Sequence, residues 1–157
     1  MITLTPMIPS HLEQVMTLSV AEEQRPFVGT IDEVLLNADD KVHPHLVMKD
    51  QCVVGIFLID TQYFQLYPFA DPTSLGFRAF LIDEAQQGFG YGQQALGQLA
   101  EYLARHYPDS ERVFLTVNCR NALAYHCYIK VGFVDSPEKY LGGAAGPQHI
   151  MSLALKE

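Results

Sequence analysis

The sequence has no tryptophan, only three cysteines and few positive charges, and each scarcity removes a class of explanation. Cys52, Cys119 and Cys127 are odd in number and form no Cys-x-x-Cys pair. Neither a disulfide framework nor a zinc site is signalled, and buried reduced thiols are expected. Ten Lys plus Arg stand against 18 Asp plus Glu, a net charge of -8. That balance repels a phosphate backbone, which speaks against a nucleic-acid module and favours a cationic small substrate. The longest apolar run, Cys52 to Ile59, falls far short of the roughly 20 residues that a membrane-crossing helix needs, so no membrane partner is expected. The N-terminal MITLTPMIPSHLEQVM lacks both a basic start and an apolar segment before a cleavage site, so a cytoplasmic location is expected.

What is present is a chain of 157 residues with 48% hydrophobic content, enough for one soluble domain over residues 1–157. Ile2 to Thr5 reads as a strand. Ser10, with Glu13 at the capping-box position, opens a helix to about Val20, and Pro26 starts a second helix ending near Asn37. His45 to Lys49 and Cys52 to Asp60 form a hairpin about Lys49, Asp50 and Gln51, and Leu75 to Ile82 is a further strand. From Gly90 to Tyr107 the apolar residues Leu96, Leu99, Ala100, Leu103 and Tyr107 make a helical stripe that Pro108 ends. Arg112 to Val117 is a strand. A helix follows with Asn121 as N-cap and Gly132 as its stop, and Phe133 to Asp135 and Ile150 to Leu155 close the chain around the loop Pro137 to His149. The order βααβββαβαββ implies an α/β fold: a mixed, partly parallel sheet of about seven strands with four helices packed on it.

The segment Gln87-Gly88-Phe89-Gly90-Tyr91-Gly92 joins a strand to a helix, where free backbone N–H groups gather and phosphate binds. A dinucleotide fingerprint fails because Gln93 stands where its third glycine belongs. A P-loop fails because Gln98 replaces the lysine. Taken alone, the three alternating glycines serve equally well as a bare turn.

Gln87-x-x-Gly90-x-Gly92 after a strand resembles the pyrophosphate-binding motif of the GCN5-related N-acetyltransferases, the GNAT superfamily. Asn118 at a strand end, followed by Asn121-x-x-Ala124-x-x-x-Tyr128-x-x-x-Gly132-Phe133, resembles the second motif of the same superfamily. Glu84 departs from the proline often found three residues before the glutamine. Asn121, Ala124 and Tyr128 also share one helix face at about 100° per residue. N-capping by Asn121 and ordinary half-burial of Tyr128 are the structural alternatives. More finely, Val20-x-x-x-Gln24-x-x-Phe27-Val28 and Arg78-x-Phe80-x-Ile82-Asp83 look like the diamine, spermine and spermidine acetyltransferase branch.

The resemblance implies a GNAT-like, mostly antiparallel twisted sheet and direct acetyl transfer from acetyl-CoA to a primary amine of a small molecule, best matched by a polyamine. Phe80, Leu81 and Ile82 would supply backbone donors to the thioester oxygen. Gln87, Gly88, Phe89, Gly90, Tyr91 and Gly92 would hold the pyrophosphate, with Asn118, Asn121 and Ala124 along the cofactor. Tyr128 would serve the leaving thiolate. The proton acceptor would be Glu84, with Asp83, Glu22, Glu23 or a water chain as alternatives. A homodimer is compatible with the resemblance, and no metal is implied. A catalytically silent CoA-binding or interaction domain, or an acetyltransferase of amino acids, aminoglycosides or protein N-termini, are the competing readings. His43 and His45 read as a solvated or acceptor-lining pair, Cys127 as core, and Tyr63, Phe64, Tyr67 and Phe69 as a tunnel lining, a dimer contact or loop packing.

Overall fold

Among the described residues seven strands form one sheet in the order β1-β2-β3-β4-β5-β7-β6. They are β1 Ile2–Pro6, β2 Val42–Lys49, β3 Cys52–Asp60, β4 Ser74–Ile82, β5 Arg112–Asn118, β6 Val134–Tyr140 and β7 Gln148–Ala154. The computed structural model describes residues 1–143 and 146–155. Positions 144 and 145 of the expected loop Pro137 to His149, and positions 156 and 157, lie outside the described residues. The pair β4–β5 is parallel and the other pairs are antiparallel, the mixed sheet that the element order implies. Strand β3 is buried almost throughout, which its unbroken run VVGIFLI requires of a central strand. The last two strands are longer than expected. β6 carries Pro137 inside a register irregularity, tolerated because this strand lies at the sheet edge.

Two of the four expected helices are each divided. Gly29, at φ +86°, separates α2 (Arg25–Val28) from α3 (Ile31–Leu36), and Thr30 then caps α3 by accepting the Glu33 amide at 3.3 Å. The stripe from residue 90 to 107 breaks between α4 (Tyr91–Gly97) and α5 (Leu99–His106), where the Gln98 side chain donates to the Ile2 carbonyl at 2.8 Å. The first helix, α1 (Leu12–Met16), is shorter than expected. Ser10 does not cap it, because Ser10 lies inside a 3-10 turn, Pro9–His11, and His11 stands at the cap position. It stops before Val20 because Leu18 and Val20 turn into the core. Helix α6 spans Ala122–Lys130.

The helices divide between the two faces of the sheet. One core gathers Phe57, Phe77, Leu96, Leu103, Val117 and Tyr128 under α4, α5 and α6, and the other gathers Val15, Val34, Leu46, Ile56, Leu58 and Leu81 under α1 and α3. His43 and His45 belong to the first face, not to a solvated or acceptor-lining pair. His45 is 3% exposed and sits between the hydroxyls of Tyr102 and Tyr107, and His43 also meets Tyr107 at 2.8 Å. A neutral imidazole offers one donor and one acceptor, which two hydroxyls satisfy. Burial pushes the His45 pKa down to about 3. The thiols also differ from expectation: Cys52 and Cys119 are exposed at strand ends, and Cys127 is half-buried.

Candidate active site

Strand β4 is bonded to β5 only through Ser74, Leu75 and Gly76, and beyond Gly76 the two strands part. A bulge drives the separation. Ile56 of β3 faces Leu81 and Leu58 faces Arg78, so the single residue Phe57 stands opposite both Ala79 and Phe80. Ala79 carries a φ of +56°, a left-handed conformation that a non-glycine residue rarely adopts inside a strand. The extra residue resets the alternation of side chains. Phe77 and Phe80, three apart, therefore pack on the same face with ring centroids 5.4 Å apart, while Arg78 and Leu81 go to the other.

A cleft of about 810 Å³ occupies the gap and is lined by residues from both faces of the sheet. Phe80, Ile82, Gly92, Asn121, Ala124 and Tyr128 line it on the α4 and α6 side. Gln24, Val28, Tyr63, Tyr67, Arg78 and Thr116 line it on the α1–α3 side. Two compartments thus meet at one gap in the sheet.

The glycine loop enters the first compartment. The Gln87 side chain folds back to donate to the Ile82 carbonyl at 3.0 Å, fixing the turn. Gly88 at φ +89° and Gly90 at φ +80° hold left-handed backbone that a side chain would strain. A Cβ at Gly88 would have no protein atom within 4 Å, and at Gly90 only the Gln94 amide at 3.9 Å. Backbone amides with open space before them are the cradle that a pyrophosphate fits. Gln87, Gly88, Gly90, Tyr91 and Gly92 line the cleft as the motif requires. Phe89 does not: it is 63% exposed and stacks on Tyr91 at 5.5 Å.

On the opposite bank Asn121 begins α6 without capping it. Its amide instead reaches across to Gln24 Oε1 at 3.3 Å, so the capping alternative does not account for it. Asn118 is buried, and its Oδ1 receives the Arg120 amide at 2.9 Å, bracing the turn into α6. Tyr128 is 8% exposed, its ring edge-on to Phe77 and Phe133, and it lines the cleft beside Cys127. Burial raises its pKa well above the ordinary phenol range, so its hydroxyl stays protonated and keeps a proton to donate.

The structure does not bring Glu84 into the cleft. The Glu84 amide donates to the Ser19 carbonyl at 2.9 Å, and the Ser19 hydroxyl donates to the Glu84 carboxylate at 3.3 Å. Asp83 accepts the Ser19 amide at 2.8 Å. Both carboxylates tie the chain after α1 to the end of β4. Of the four acids weighed from the sequence, Glu23 lines the cleft. Sequence reasoning missed the tie because Ser19 is an ordinary serine some 65 residues away. The second anchor was equally invisible: Arg120 lies over the Phe27 ring at 5.7 Å. Residues 19 to 27 thus strap the α1–α3 side of the gap, fastened just after β4 at one end and at the start of α6 at the other.

A sheet parted at its parallel pair, with open backbone amides on the turn after one strand and a buried phenol on the helix after the next, can accommodate a phosphate-bearing acyl donor. The chain belongs to the acetyltransferase (GNAT) family, whose model matches residues 11–133. It is 26% identical over 138 residues to the uncharacterized N-acetyltransferase YbbJ of Bacillus subtilis (strain 168), covering 85% of this chain and 86% of that protein. In fold it is similar to the aminoglycoside acetyltransferase AAC(6')-Ib in complex with coenzyme A, with TM-score 0.77 at 20% identity over 98% of this chain and 95% of the other. It is also similar to the spermidine N-acetyltransferase from Vibrio cholerae in complex with CoA and spermine, with TM-score 0.70 at 19% identity over 98% and 95%. Among the described residues no helix is long and apolar enough to cross a membrane.

Proposed function

We propose that the protein transfers the acetyl group of acetyl-CoA directly to the primary amine of a small molecule. The observation that carries this reading is the cleft lined from both faces of the sheet, which lets a thioester held on one face meet an amine arriving from the other. Acetyl-CoA supplies the activated acetyl group. The amine nitrogen bonds to the acetyl carbon, the carbon–sulfur bond breaks, and CoA leaves as the thiol.

The chain's residues divide the work. Within Phe80, Leu81 and Ile82, where β4 keeps its β3 neighbour but has no β5 partner, the amides that turn to the open edge face the negative charge that develops on the thioester oxygen. Tyr128 stabilises the departing sulfur by hydrogen bonding. A lysine-like amine of pKa about 10.4 needs roughly 4.6 kcal/mol to lose its proton at pH 7. Glu23, at the rim, receives that proton through water.

The polyamine reading of the acceptor is supported by the net charge of -8 and by Val20, Gln24, Phe27 and Val28, which line the acceptor compartment. Arg78 in the same wall favours a second reading, an amine that also carries an anion. Free thiol is followed while the protein is given acetyl-CoA and polyamines, diamines, amino acids, aminoglycosides or simple alkylamines. Amine-dependent thiol release is expected. CoA binding without release from any amine would leave a silent binding domain.

A further inference from the structure

We propose that Arg78 and its surroundings form an anion subsite, and that the preferred acceptor is a small amine bearing a carboxylate. The inference rests on the acetyl-transfer reading and narrows its acceptor. Asp60, at the end of β3, is almost wholly buried. One of its oxygens accepts the Gln62 amide at 2.9 Å and the other accepts an N–H of Arg78 at 3.1 Å. Asp60 is therefore consumed, while only one of the five guanidinium N–H groups is bound to it. The Arg78 side chain remains 30% exposed and lines the cleft.

The rest of that wall is rich in donors. Tyr63 and Tyr67 stack at 4.3 Å beside Arg78, and burial raises the pKa of both phenols, so both hydroxyls keep their protons. Thr116 and Gln148 add a hydroxyl and an amide. Among the described residues Glu23 is the one carboxylate in the lining, and it stands on the strap, not on β4. A second ammonium, as in a diamine, would meet the guanidinium and these hydroxyls. Tyr63 is buried with its hydroxyl bonded to Thr116, so a carboxylate accepts from the guanidinium, the Tyr67 hydroxyl and the Gln148 amide, and a guanidinium fork fits it in two-point geometry. Arg78 precedes the Phe80–Ile82 amides by two to four residues on β4, roughly 7 to 13 Å of strand, so one acceptor molecule spans both.

The test compares kcat/KM for glycine, 4-aminobutanoate and 6-aminohexanoate with the alkylamine and the diamine of equal carbon number, and adds phosphoethanolamine to separate phosphate from carboxylate. At least one amino acid is expected to exceed its matched alkylamine and diamine about tenfold or more. Arg78→Gln leaves Asp60 buried and unpaired, so the double variant Arg78→Gln with Asp60→Asn, checked for folding by circular dichroism, carries the comparison. In it the ratio of amino acid to alkylamine is expected to fall to about one, chiefly through KM. Diamines or alkylamines equal to the amino acids in the parent protein would overturn the proposal and reduce Arg78 to the neutraliser of Asp60. A preference for phosphoethanolamine would overturn the carboxylate assignment. A preference that survives the double variant would overturn the role of Arg78. Absence of thiol release with every amine would instead refute acetyl transfer itself.

Discussion

Replacing Tyr128 by Phe removes one oxygen and keeps a ring that packs edge-on against Phe77 and Phe133, at centroid distances of 6.2 and 5.5 Å. Fold and CoA affinity should change little. General-acid catalysis contributes about 10²- to 10⁴-fold, yet the structure favours a smaller effect. Burial raises the phenol further above the pKa of about 8.5 of an ordinary thiol, so handing over the proton runs uphill and the hydroxyl contributes as a donor. A hydrogen bond to a charged group is worth about 1.5 to 3 kcal/mol, or roughly 10- to 150-fold in rate. Rapid-quench single-turnover acetylation, with acetyl-CoA prebound, reads that step apart from product release. The raised pKa also removes Tyr128 as a source of any alkaline limb in the pH-rate profile up to about pH 10. A single-turnover rate equal to the parent's would refute a role in leaving-group stabilisation. A loss of 10³-fold or more would refute the argument that the proton is not transferred.

Gly90→Val forces a branched side chain onto a φ of +80° and into the space before the loop amides, so CoA affinity by calorimetry should fall at least tenfold; unchanged affinity in a folded variant would remove the pyrophosphate assignment. At Gly76 an added Cβ would overlap the Tyr63 ring. Gly76→Ala should therefore cost about 1 to 3 kcal/mol in urea denaturation, and an unchanged midpoint would mean that Tyr63 is loosely held. His45 titrates at about 3 when folded against about 6.5 unfolded, so the unfolded chain binds the extra proton and stability falls as pH drops below 6.5. The loss should reach roughly 1.5 to 2 kcal/mol between pH 6.5 and 5 and be largely absent from a folded His45→Gln variant; the same slope in both would place the acid sensitivity elsewhere.

Features written in local chemistry were legible before the fold was seen. The apolar run of β3, the Lys49–Gln51 turn and the glycine loop each depend on neighbouring residues, and each lies where the sequence put it. The breaks at Gly29 and Gln98 were hidden because periodicity carries on across them, and Gln98 acts through the distant Ile2 carbonyl. The site divides in the same way. Gln87, Gly90, Gly92, Asn121, Ala124 and Tyr128 are spaced by turn and helix geometry, and all line the cleft. Glu84 seemed well placed because it follows β4, but the fold gave it Ser19 as a partner. The bulge at Ala79 had no signal at all: a non-glycine residue at positive φ is imposed by neighbouring strands, not announced by its own side chain.

The strap fastened at Ser19 and again at Gln24 and Phe27 behaves as a bridge with one abutment just after β4 and the other at the start of α6. A hinged flap can swing clear on one attachment, whereas the four residues between Ser19 and Gln24 give little slack once both ends are held. The opening beneath them therefore acts as a gauge whose bore is set by chain length. Deleting or inserting one residue between the abutments should change which acceptors pass, and change them by girth, before it alters the grip on acetyl-CoA.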